Sequence, residues 1–115
     1  MATVIKADDQ ASFQREVLDS SVPVLVDFWA AWCGPCRAVG PEVEALAEQY
    51  GAAIKVVKVD VDANQSVAGS YGIRGIPTIG LFVGGKLTKQ VVGARPRQAI
   101  ESELGLTRFA LATEK

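Results

Sequence analysis

Apolar residues in this 115-residue chain fall in short blocks whose spacing changes from block to block. Residues 22–29 are a β-branched and aromatic run, which predicts a buried strand, and residues 54–61 have the same character. Between them Val39, Val43, Leu46 and Ala47 recur at helical spacing up to Tyr50. Phe13, Val17 and Leu18 do the same after Asp8 or Asp9, either of which can cap a helix running to about Asp19. Residues 3–6 read as a short strand and residues 64–71 as a short helix or turn. Residues 77–83 and 86–92 are strands divided by Gly84-Gly85, a hairpin signal. Pro96 opens a last helix that Gly105 closes.

The predicted order is therefore β-α-β-α-β-α-β-β-α. Early βαβ units require parallel pairing and the closing hairpin an antiparallel pair. The fold class is α/β, a mixed central sheet of about five strands flanked by about four helices. Residues 1–105 are expected to form one domain, with residues 106–115 as a C-terminal tail that either extends the last helix or frays. Pro41 is expected to kink the second helix, and Gly40 before it to loosen it. Gly80 weakens a hairpin strand and implies a close packing contact there.

Composition narrows the function classes. Apolar residues make up 49% of the chain, enough for one real core. Twelve basic residues against thirteen acidic ones leave no polybasic surface, so neither nucleic acid nor membrane is expected as a partner. The most apolar stretch, residues 22–36, is interrupted by Asp27 and two prolines and is shorter than the ~20 residues of a membrane span. The first ten residues lack a basic start followed by an apolar block, so a cytoplasmic location is expected. Two cysteines do not make a disulfide-stapled scaffold. The lack of histidine removes Cys-His catalysis and any His-containing zinc site.

What remains is the Cys33-Gly34-Pro35-Cys36 run at a predicted helix start. Residues three apart on a helix bring their Cβ atoms within about 5–6 Å, so this pair can close and reopen as a disulfide with little backbone movement. Cys33, at the helix N-terminus, has the better-stabilised thiolate and is expected to be the exposed, attacking sulfur. Cys36, one turn in, can attack the resulting mixed disulfide. A static bond across so short a loop stabilises little, and a four-ligand metal site lacks its other ligands in this chain. Asp27 interrupts an apolar strand; a buried carboxyl there titrates high and can relay a proton, whereas an edge position would leave it in solvent. Lys58 is a lone charge between Val57 and Val59, which a snorkelling strand lysine would also explain.

The run from Val26 to Cys36 (Val-Asp-Phe-Trp-Ala-Ala-Trp-Cys-Gly-Pro-Cys) resembles the thioredoxin signature. The segments from Tyr71 to Thr78 and from Val92 to Ala94 resemble that family's other two active-site segments. The resemblance implies the thioredoxin fold and protein-disulfide reduction through Cys33 and Cys36, with Asp27 relaying a proton toward Cys36 and Lys58 close by. It implies a cis Ile76–Pro77 bond facing the cysteines, with the backbone before Pro77 pairing to an extended substrate. Trp32, Gly34, Pro35, Ile76, Gly93 and Ala94 then form an apolar, small-residue rim around Cys33, and Trp29 packs. The Gly-Pro pair between the cysteines is similar to the reductant members, with thiol oxidase or isomerase, or a non-catalytic binding module, as the alternatives. The implied partners are disulfide-containing proteins and an NADPH-dependent flavoprotein thioredoxin reductase. No cofactor or metal is expected on this chain, which is expected to act as a monomer.

Overall fold

The computed structural model describes residues 4–110; Thr3 of the first predicted strand and residues 111–115 of the predicted tail lie outside the described residues. Strand β1 is Val4–Lys6. Asp9 then caps helix α1 (Gln10–Phe13) reciprocally: the Ser12 amide donates to Asp9 Oδ1 at 2.8 Å, and the Asp9 amide donates to Ser12 Oγ at 3.3 Å. The turns widen into a π-helix over Gln14–Leu18, where the Asp19 amide donates to the Gln14 carbonyl at 2.9 Å. The expected α-helix to about Asp19 is thus part α and part π, a difference that so short an apolar stripe does not encode.

Strand β2 (Val24–Trp29) leads to helix α2 (Gly34–Tyr50), strand β3 (Lys55–Asp60) and helix α3 (Gln65–Ser70). Strands β4 (Thr78–Val83) and β5 (Lys86–Val92) form the hairpin, and helix α4 (Arg97–Leu104) follows. Pro41 stands inside α2, which runs unbroken from one end to the other. Gly84 and Gly85 both adopt positive φ (61° and 80°), the conformation a two-residue hairpin turn needs. The tail continues past Gly105 as a 3-10 turn (Leu106–Phe109), in which Leu106 is buried in the core and Phe109 packs against it.

The sheet order is β1-β3-β2-β4-β5, with β1, β3 and β2 parallel and β4 antiparallel to both neighbours. Alternate residues of each strand point to opposite faces. Leu25, Val56, Ile79 and Leu81 meet Val39, Val43 and Leu46 of α2 and Ile100 and Leu104 of α4. Val24, Val26, Phe28, Val57 and Phe82 meet Phe13, Val17 and Val67 on the other side. Asp27 and Trp29 share the face of Leu25, and Lys58 that of Val56, so all three point toward α2. Gly80 has its physical reason here: a Cβ would stand 2.9 Å from Leu87 Cδ1.

Candidate active site

Cys33 occupies the N-cap of α2 in extended backbone conformation, and Pro35 sits in the first turn, where its missing amide hydrogen costs nothing. Cys33 and Cys36 are joined as a disulfide with Cα atoms 5.3 Å apart. The Cys36 amide donates to Cys33 Sγ at 3.2 Å, so the first turn of the helix directs a free N–H at that sulfur. Two other segments close around the pair. Ile76–Pro77 is a cis peptide bond, as the family resemblance implies, and Cys33 Sγ lies 3.9 Å from the Ile76 carbonyl oxygen. The Gly93 amide donates to the Pro77 carbonyl at 2.8 Å, which ties the end of β5 to the same place. The three segments singled out in the sequence therefore meet around one disulfide.

A family model described as Thioredoxin matches residues 4–105. The chain belongs to the thioredoxin family. It is 53% identical over 94 residues to the thioredoxin of Porphyra purpurea, covering 82% of this chain and 88% of the relative. To thioredoxin 1 of Synechococcus elongatus (strain ATCC 33912 / PCC 7942 / FACHB-805) it is 53% identical over 102 residues, 89% of this chain and 95% of the relative. The crystal structure of Malassezia sympodialis thioredoxin superposes with a TM-score of 0.78 at 34% identity, covering 90% of this chain and 92% of that one. The chain is accordingly a thioredoxin-type disulfide oxidoreductase whose dithiol-disulfide pair is Cys33 and Cys36.

In the disulfide form of this thioredoxin-family site both cysteines are 4% exposed. The pair packs with Ala30 under Trp29, Val61 and Ile76. Around them Trp32, Gly34, Pro35 and Ala94 are exposed, Ile76 and Gly93 are half-buried, and Pro77 is buried. Trp32 is 69% exposed yet oriented, because its indole N–H donates to Asp62 Oδ2 at 2.9 Å. Asp62 was not singled out in the sequence; it is thirty residues away and only the fold brings it there. Val92, named only as the start of the third segment and not among the rim residues, is 51% exposed and stands against Gly75, where a Cβ would approach its Cγ1 to 3.2 Å. Its position beside Gly93 was the available signal.

Asp27 is fully buried, and neither carboxyl oxygen has a hydrogen-bond partner among the described residues. Burial pushes its pKa up from 3.8 to about 6, with the Lys58 charge pulling the other way. Lys58 is the register partner of Asp27 in β3, but its ammonium lies 4.7 Å from the Trp29 ring centroid, a cation–π contact. No Lys58–Asp27 ion pair within 4.0 Å occurs among the described residues. Half-buried Trp29 thus holds the lysine. Among the described residues no group of His, Cys, Asp or Glu could hold a metal ion, and no helix is long and apolar enough to cross a membrane.

Proposed function

We propose that this family member is a protein-disulfide reductase in which Cys33 attacks and Cys36 resolves. The observation that supports this most directly is the Cys36 N–H donated to Cys33 Sγ at the start of a 17-residue helix. In the reduced protein the same donor and the helix dipole favour a Cys33 thiolate. That thiolate attacks one sulfur of a substrate disulfide, forming a mixed disulfide and releasing the other sulfur as a thiolate. Cys36 then loses its proton to the Asp27 carboxylate and attacks Cys33 Sγ. The second substrate thiolate leaves, and the substrate has gained the two electrons that the cysteine pair has lost. A buried carboxyl with pKa about 6 on the strand face turned to α2 suits that proton transfer, and Lys58 tempers its basicity.

Trp32, Gly34, Pro35, Ile76, Pro77, Gly93 and Ala94 then receive substrate: exposed Trp32, Gly34, Pro35 and Ala94 meet extended chains of many sequences, beside half-buried Ile76 and Gly93 and the backbone before buried Pro77. The reading includes a monomer in the cytoplasm, whose reducing surroundings suit a dithiol. An NADPH-dependent flavoprotein reductase returns the two electrons, its nicotinamide and flavin carried by that partner.

Insulin reduction driven by dithiothreitol tests the assignment. Cys33→Ser and Cys36→Ser each lose turnover, and Cys36→Ser accumulates a mixed disulfide through Cys33. Alkylation of the reduced protein near neutral pH labels Cys33 first. Preferential labelling of Cys36 reverses the roles.

A further inference from the structure

Helix α4 starts without a cap of its own. Its N-cap residue is Pro96, whose ring offers no acceptor, and no neighbouring side chain in the segment bonds the first turn. The first helical amide, that of Arg97, donates instead to Glu42 Oε1 at 2.7 Å. Glu42 belongs to the middle of α2, 55 residues earlier, and its carboxylate also faces the positive end of α4. The same bond fixes one end of residues 93–96, which have no regular structure. The other end is fixed by the Gly93 amide on the Pro77 carbonyl. Gly93 and Ala94 are therefore suspended between an anchor on the cis-proline segment and one on the cysteine-bearing helix, with Arg95 also paired to Glu103 of α4 at 3.8 Å on the latter side. The body of α4 is held separately, through Gln49 and Tyr50 donating to Glu101 and through buried Ile100 and Leu104. Loss of Glu42 would release the start of α4 and leave the helix seated.

We infer that Glu42 is a positioning residue: by capping α4 from α2 it sets the Gly93–Ala94 side of the rim for protein substrates. The inference rests on the rim proposed above. Glu42 bonds Arg97 rather than either sulfur, so its effect belongs in the KM for a large extended substrate.

The test compares insulin with a small aromatic disulfide, 5,5′-dithiobis(2-nitrobenzoate), on Glu42→Ala, Glu42→Gln and Ala94→Glu. Glu42→Ala should raise KM for insulin about 3- to 10-fold, below the ~100-fold that a 1 Å misplacement of a reacting group can cost. Its kcat and its rate with the small disulfide should stay within about twofold, since neither the sulfurs nor their charge environment has moved. Hydrogen exchange at the Arg97 and Gly93 amides should quicken. Glu42→Gln keeps an acceptor and should restore KM; so should Pro96→Ser in the Glu42→Ala background, by giving α4 a local cap. Ala94→Glu should raise KM for insulin directly. If it does while Glu42→Ala leaves KM unchanged, or slows both substrates alike, the Glu42 inference is overturned and the rim stands. If Ala94→Glu has no effect, the rim reading falls and takes the inference with it.

Discussion

The two faces of the central sheet are made of similar strands and packed to different ends. On the α1 and α3 face, Phe82 meets Phe13 edge-on with ring centroids 5.7 Å apart and Tyr71 at 5.1 Å. Such contacts add to the area these rings bury. On the α2 face the strand places a carboxyl under the active-site helix. Three polar residues are buried among those described. Asn64 donates to the Ala7 carbonyl and Thr78 to the Gly75 carbonyl, but Asp27 has no hydrogen-bond partner among the described residues. An unpaired buried carboxyl is costly where it stands, and it stands only on the side that carries the cysteines. One face supplies stability; the other gives some up for chemistry.

The sharpest way to break that division is Phe82→Ala, which should destabilise by about 3–5 kcal/mol. Insulin reduction per folded molecule should be unchanged, so slower turnover by the folded fraction would show that both faces serve the reaction. Asp27→Asn should do the reverse, slowing turnover about 100-fold through loss of the proton acceptor for Cys36. Single-turnover rates of mixed-disulfide resolution measure this, and an undiminished rate would leave the buried carboxyl without a purpose. The smallest effect concerns the seat of α2. At Gly40 an added Cβ would lie 4.0 Å from Lys58 Nζ, an ordinary contact. Gly40→Ala should therefore stabilise by about 0.5–1 kcal/mol through helix propensity, read from denaturant midpoints. A loss instead would mean that α2 presses on Lys58 harder than this spacing allows.

The order of elements was legible in the sequence because strand runs and helical spacings differ in period and because Gly84-Gly85 and Gly105 punctuate them. The cysteine pair was legible from its spacing at a helix start. Contacts made only by folding were not legible. Nothing near Glu42 announces Arg97, nothing near Trp32 announces Asp62, and the reason for Gly80 is a leucine on the neighbouring strand. Lys58 was picked out as an anomalous charge in an apolar strand, but its seat on the Trp29 ring depends on the register of β3 against β2.

Asp27 carries, beyond the cost of its burial, a further cost that appears only when it ionises. In the folded protein its pKa is about 6, against an ordinary 3.8. The folded state thus holds this proton more tightly than the unfolded chain does. Ionisation of the carboxyl adds no cost below about pH 4, its cost grows from there to about pH 6, and it is complete above, where the gap corresponds to about 3 kcal/mol. The decisive measurement is the unfolding free energy of Asp27→Asn minus that of the unaltered protein, taken across this range. Any offset from the buried amide is constant with pH and leaves the slope untouched. The difference should rise by up to about 3 kcal/mol between about pH 4 and pH 6 and then level off. A difference that stays flat, or that falls as pH rises, would contradict the account.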